Sequence, residues 1–190
     1  MKSITTYINE KLIVNKNTRA KKYNYYPETK EELQDILKEL IKERGNEGDF
    51  NDIDTSEITD MSKLFYDMIS IVDSYNNFNG DISGWDVSKV TNMQGMFSHC
   101  KYFNKDLSKW NVSNVKNMNG MFFYCENFNQ PLNKWDVSKV KNMNQMFMKC
   151  YKFNQDISNW NVSNVTETGN YLDNIFTCCE IEEKYKPKFK

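Results

Sequence analysis

Four tryptophans, Trp85, Trp110, Trp135 and Trp160, stand 25 residues apart, and the same text returns around each: GWDVSKVTNM, KWNVSNVKNM, KWDVSKVKNM and NWNVSNVTET. A period of this length encodes a stack of like units, because one such unit cannot bury its own apolar face and must cover it with a neighbour. The expected architecture is a solenoid. The period says far less about function, since repeat proteins vary their task on a constant frame.

Within a unit the apolar positions form columns. Ile82, Trp85 and Val87 follow an L-x-x-L-x-L spacing, which reads as a short strand with its inward side apolar. Val90, Met93, Met96 and Phe97 recur at three- and four-residue steps, which reads as a short helix, with Ser88 at its N-cap position. One parallel strand and one short helix per 25-residue coil is the leucine-rich-repeat plan, an α/β solenoid. Five coils would span about 20–25 Å at the spacing of paired strands.

Three regions follow. Residues 1–52 carry no repeat and form an α-helical N-terminal cap. Its helix lies in PETKEELQDILKELIKERG: Thr29 and Glu32 make a capping box, Leu33, Ile36, Leu37, Leu40 and Ile41 an apolar stripe, and Gly45 the stop. Residues 53–177 hold about five repeats. The first is degenerate, with Ile53 in the tryptophan position, and the stretch around Ile69 to Asn77 is about seven residues longer than the period needs. The last decays after Val165, where Met, Met-Phe and Cys become Thr168, Tyr171-Leu172 and Ile175. Residues 178–190 form a charged tail expected to fray.

The run DLSKWNVSNVKNMNGMFFYCENF resembles the repeat of BspA-like leucine-rich-repeat proteins, and more closely the variant known as a domain of unknown function in mycoplasma lipoproteins. The M-F-x-x-C ending, Met96-Phe97-Ser98-His99-Cys100 and its copies, carries the resemblance over about residues 53–175. It implies a surface protein that adheres to host or bacterial partners. The chain departs from that pattern: MKSITTYINEKLIVNKN has no secretory signal, no lipobox cysteine precedes Cys100, and no stretch is long enough to span a membrane. As written, with Met1 retained, it is expected in the cytoplasm, with surface or virion association open. The leader MKSITTYINEK is also similar to capsid-targeting leaders of internal proteins of some tailed phages, with Ile8-Asn9-Glu10 as the cleavage site. That similarity implies a packaged virion protein as the alternative function.

Lys and Arg number 25 against 26 Asp and Glu, so the basic excess that nucleic-acid binding requires is missing. No phosphate loop, H-E-x-x-H or G-x-S-x-G is present, and His99 is the only histidine. The expectation is a non-enzyme with no catalytic residues, no metal and no cofactor. Cys100, Cys125 and Cys150 obey the period and read as reduced, buried small side chains. The tryptophans read as core. Asn79, Asn104, Asn129 and Asn154 read as turn residues.

The polar columns stay open. Asp86, Asn111, Asp136 and Asn161 form one, and Gly84, Lys109, Lys134 and Asn159 another, both on the outward phase of the strand and so on the concave face. They either bond the neighbouring backbone in turns and ladders or form a recognition surface for a protein or glycan. The candidate binding residues are Asp86, Lys109, Asn111, Lys134, Asp136, Asn159 and Asn161. A calcium reading of Asp81, Asp106 and Asp156 lacks the glycine-rich nonapeptide, and Pro131 interrupts the column.

Overall fold

The computed structural model describes residues 23–66, 77–166 and 174–189. The leader with Ile8-Asn9-Glu10, most of the Ile69 to Asn77 stretch, and Thr168 with Tyr171-Leu172 lie outside them.

The N-terminal helix α1 spans Lys30–Arg44. Thr29 is extended (φ −128°, ψ 162°), and its hydroxyl accepts the Glu32 amide at 3.2 Å. The Glu32 carboxylate reaches back one residue further than a reciprocal capping box, to the Glu28 amide at 2.8 Å. Gly45 ends the helix at φ 76°, its amide donating to the Ile41 carbonyl at 2.9 Å. Leu33, Leu37 and Leu40 are buried in the same core as the repeats, with Ile36 and Ile41 at its margin. A two-pronged pair, Arg44 Nη1 and Nη2 to the Asp52 carboxylate at 2.7 and 3.0 Å, ties the end of α1 to the first unit.

The α/β repeat fold with a strand and a helix in every unit is not what forms. Among the described residues α1 is the one α-helix, joined only by a short 3-10 turn at Glu183–Tyr185. Parallel pairing is confined to isolated bridges such as Asp60 with Asn92, Asn92 with Asn117 and Asn117 with Asn142.

Turn chemistry replaces the strand. Asp81 Oδ1 accepts the Ser83 amide at 3.0 Å, and the Trp85 amide closes back on the Ile82 carbonyl at 3.1 Å. Five residues on, Asp86 Oδ1 accepts the Ser88 amide at 2.9 Å and the Val90 amide closes on Val87 at 3.0 Å. A short side-chain oxygen that binds the amide two residues ahead takes the donor a sheet would need. Two D-x-S turns in ten residues therefore leave no room for a strand. Ser88 belongs to the second of these turns and caps no helix.

The helix fails for a different reason. Gly95, Gly120, Gln145 and, in the first unit, Lys63 all have left-handed backbones (φ 60°, 57°, 57° and 53°). A second left-handed residue follows at His99, Tyr124, Lys149 and Cys178. Right-handed helix does not pass through such residues. Instead the amides of Met93, Gly95, Phe97 and His99 donate to the carbonyls of Asn117, Asn119, Met121 and Phe123 in the next unit, at 2.7–2.9 Å. The amides between them turn back three residues: Met96 to Met93, Ser98 to Gly95 and Cys100 to Phe97. Alternate amides thus join units, and the rest close turns within one.

The core is aromatic and columnar. Phe65, Phe97, Phe122, Phe147 and Phe176 stack at centroid separations of 5.3, 5.5, 5.5 and 5.8 Å. Phe78, Phe103, Phe128 and Phe153 stack beside them at 6.2, 6.1 and 5.9 Å. The four tryptophans are 4–5% exposed, as core residues should be. Each indole N–H donates to a carbonyl of the preceding unit: Trp85 to Phe50, Trp110 to Ile82, Trp135 to Leu107 and Trp160 to Leu132, at 3.0–3.2 Å.

The final unit keeps the M-F-x-x-C motif in altered form. The Phe147 amide bonds Ile175 and the Lys149 amide bonds Thr177, which sets Ile175-Phe176-Thr177-Cys178-Cys179 against Met146-Phe147-Met148-Lys149-Cys150. Ile175 therefore takes the methionine place, not the cysteine place, and Cys179 closes its turn on Phe176. The tail does not fray: Ile181 is buried, the Ile157 amide donates to Tyr185, and the Glu182 amide donates to Asn154 Oδ1.

Candidate functional site

All seven binding candidates, Asp86, Lys109, Asn111, Lys134, Asp136, Asn159 and Asn161, are solvent-exposed. They stand at turns, since the strand that would have placed them on a concave face is absent. Five of them work for the backbone. Asp86, Asn111, Asp136 and Asn161 each accept the amide of the serine two residues on, at 2.9–3.2 Å. Asn159 Nδ2 donates to the Asn133 carbonyl of the preceding unit at 2.8 Å. Aspartate and asparagine alternate freely in the column because both offer the same Oδ1. The bonds from Ser138 hold the Asp136 carboxyl below the usual carboxylate range.

Asp81, Asp106 and Asp156 do the same work for Ser83, Ser108 and Ser158. Asn79, Asn104 and Asn129 accept the amides of Asn104, Asn129 and Asn154 in turn, a side-chain ladder along the stack.

Lys109 and Lys134 differ from the other five. Both act electrostatically on Asp106, which ties the two side chains to one region. Among the described residues neither has a carboxylate within ion-pair distance. Lys116, Lys139 and Lys141 lie in the same two units and are exposed as well. Reading the strand phase missed these three, because turn geometry, not alternation, decides what faces solvent here.

A second edge lies apart from the seven candidates. It is formed by the turn that ends each unit. Tyr66 packs against His99 (centroids 5.5 Å), and His99 stacks flat on Tyr124 (4.9 Å, 9°). The Lys149 ammonium lies 4.1 Å from the Tyr124 ring centre and bonds its hydroxyl. Burial, and then the charge of Lys149, pull the His99 pKa down. Beside this column Tyr102 and Tyr151 are 50% and 41% exposed, and Lys101 pairs with Glu126 at 3.3 Å. The signal was present in the sequence: His99, Tyr124 and Lys149 occupy one column where the repeats disagree.

The three periodic thiols are not poised for chemistry. Burial pushes Cys100, Cys125 and Cys150 well above the usual thiol range. Cys125 and Cys150 donate to the Phe97 and Phe122 carbonyls at 2.9 and 2.8 Å. A thiol held protonated in this way is neither a nucleophile nor a metal ligand.

The family described as Mycoplasma protein of unknown function, DUF285, matches residues 66–181, more than half of the chain. The chain belongs to this family. DUF285 is related to BspA-like repeats, so the kinship carried by the M-F-x-x-C motif holds at that level. The DUF285 match leaves out α1 and the first unit, although both share its core. No curated protein matches the chain. No solved structure matches it either. No helix among the described residues is long and apolar enough to cross a membrane.

Proposed function

We propose that this DUF285 chain is a non-enzymatic interaction module that binds a protein through the edge carrying Tyr66, His99, Tyr102, Tyr124, Lys149 and Tyr151. One observation carries the reading. The columns that repeat from unit to unit hold the scaffold together, whereas three of the four exposed large apolar side chains among the described residues, Tyr66, Tyr102 and Tyr151, belong to this edge with the variable column His99, Tyr124 and Lys149. Scaffolding explains the first group and leaves the second to recognition. Tyrosine suits that role, since it offers rigid apolar area and a polar tip at small entropic cost.

A protein fits better than a glycan. Sugars dock on open aromatic faces, and the faces of His99 and Tyr124 already cover each other, with Lys149 over Tyr124. That stacked pair offers a partner ring edges, and Tyr102 and Tyr151 add the exposed tyrosine area in which protein interfaces are enriched.

The test compares wild type with a Tyr102→Ala/Tyr124→Ala/Tyr151→Ala variant and an Asn111→Asp/Asn161→Asp control, in affinity capture and on a glycan array. A protein held by wild type and control but lost by the tyrosine variant is the expected result. A glycan ligand, or capture indifferent to the tyrosines, contradicts the reading.

A further inference from the structure

Charge is divided unevenly along the stack. Residues 23–66 hold twelve Asp and Glu against five Lys and Arg, a net charge of −7. Residues 77–166 hold ten Lys against six Asp and Glu, a net charge of +4 with His99 neutral. The near-neutral total of the whole chain, which also counts six Lys and Arg against one Glu in residues 1–22, hides this asymmetry.

The acidic side centres on α1. Glu31, Asp35, Glu39 and Glu43 follow one another at four-residue steps, so they form one stripe with about 6 Å between neighbours. Leu33, Leu37 and Leu40 face the core instead. Lys38 and Lys42 pair with Asp35 and Glu39, at 3.2 and 2.8 Å. The stripe's ends, Glu31 and Glu43, and Glu47 beyond the helix are exposed.

The basic side spans two neighbouring units. Lys109 and Lys116 belong to one unit, and Lys134, Lys139 and Lys141 to the next. The Lys141 amide donates to the Lys116 carbonyl at 2.8 Å, so these two side chains leave adjacent rungs of one ladder. Lys139 reaches across the rung to Asn114 Oδ1 at 2.8 Å. Like charges about one strand spacing apart repel, and an opposing anionic surface relieves that repulsion.

Two features favour a second copy over a nucleic acid. The five cations are all lysines, with no arginine fork, and the aromatics of these segments, Trp110 and Trp135, are buried with their N–H groups bonded. Nothing there stacks on a base. A polyanion would also meet the acidic stripe of α1 on the same molecule, whereas a second copy presents that stripe as its complement.

We propose that the lysine face of one copy docks on the acidic α1 face of another, giving salt-sensitive, head-to-tail self-association. The two faces are different surfaces, so the contact is heterologous and can extend to longer chains. This inference does not rest on the tyrosine edge.

Sedimentation equilibrium of the full chain in about 0.1 M and about 1 M salt tests it, because screening shortens from about 10 Å to 3 Å over that range. Wild type is expected to gain mass with protein concentration at the lower salt and to return to monomer at the higher. Lys116→Gln/Lys134→Gln/Lys141→Gln and Glu31→Gln/Glu43→Gln/Glu47→Gln should each be monomeric. Their equimolar mixture should form a dimer and stop there, because each variant keeps the face the other needs. The charge-preserving Lys116→Arg/Lys134→Arg/Lys141→Arg variant should associate like wild type. A monomeric wild type at low salt, association that survives 1 M salt or the lysine-to-glutamine changes, or a mixture that stays monomeric overturns the proposal. So does a labelled oligonucleotide that binds wild type and not the glutamine variant, since the lysine face would then serve nucleic acid.

Discussion

The carbonyl of Leu107 accepts two hydrogen bonds, one from the Trp110 amide that closes its own turn and one from the Trp135 indole of the next unit, both at 3.0 Å. A carbonyl has two lone pairs, so one acceptor serves the fold of a unit and its attachment to a neighbour together. The Phe97 carbonyl does the same for the Cys100 amide and the Cys125 thiol. Trp135→Phe keeps most of the ring but loses the N–H. It should cost about 1–2 kcal/mol, since the Leu107 carbonyl keeps its other bond. Trp135→Ala should cost about 3–5 kcal/mol. Urea denaturation checks both, and a Phe variant as stable as wild type would remove the indole bond from the account.

The thiols should divide by burial. Cys178 is exposed, Cys179 is partly buried with its pKa raised to about 11, and the other three are buried. Titration of the native chain with a disulfide reagent at neutral pH should consume one thiol quickly, lost in Cys178→Ser. All five should react after denaturation. A second fast thiol from Cys100, Cys125 or Cys150 would show that the column is open to solvent.

Acid should loosen the turns. Hydrogen bonds from Ser108 and Ser138 hold the Asp106 and Asp136 carboxyls low. A carboxylate depressed on folding adds stability that is complete above its unfolded value of about 3.9 and is lost as pH falls through the lower folded value. The carboxylate contribution should be flat from neutral pH to about 5 and decline below 4, while the lowered pKa of His99 adds a separate loss as pH falls through the unfolded imidazole value of about 6.5. Asp136→Asn should leave neutral stability nearly unchanged, because Asn111 and Asn161 make the same turn, and should soften the acid decline. Asp136→Ala should cost about 0.5 kcal/mol at neutral pH, the lower end for an exposed hydrogen bond. Thermal melts across pH measure all of this, and equal effects of Asn and Ala would dismiss the turn role.

The helix α1 was legible because caps and apolar stripe agree: Thr29, the three leucines and Gly45 act as read, and Glu32 caps one residue further back, at Glu28. The core was legible because its period survives any local conformation. Trp85 and Phe97 are buried whether the chain around them is strand, helix or turn. What failed was the conformation itself. Ile82, Trp85 and Val87 match a strand spacing, but Asp81, Ser83, Asp86 and Ser88 around them are turn formers, and their local bonds prevailed. Met93, Met96 and Phe97 match a helical spacing, but Gly95 and Gly120 sit inside it in left-handed form. The last unit was misregistered because its insertion falls before the motif, so Ile175 stood where the period expects a cysteine. The recognition face was drawn from the absent strand, which explains why it mixed turn-forming residues with the two lysines.

The central claim is that a left-handed turn, not a helix, closes each unit, and Gly120→Ala tests it most directly. Gly120 has φ 57°, and a Cβ built there would meet only Phe123 Cβ, at an ordinary 3.7 Å, so backbone conformation alone decides the effect. In a helix the change would add about 0.8–1 kcal/mol of stability. In the left-handed turn it should remove about 1–2 kcal/mol. A lowered urea midpoint for Gly120→Ala is the predicted result, and a raised midpoint would contradict the account.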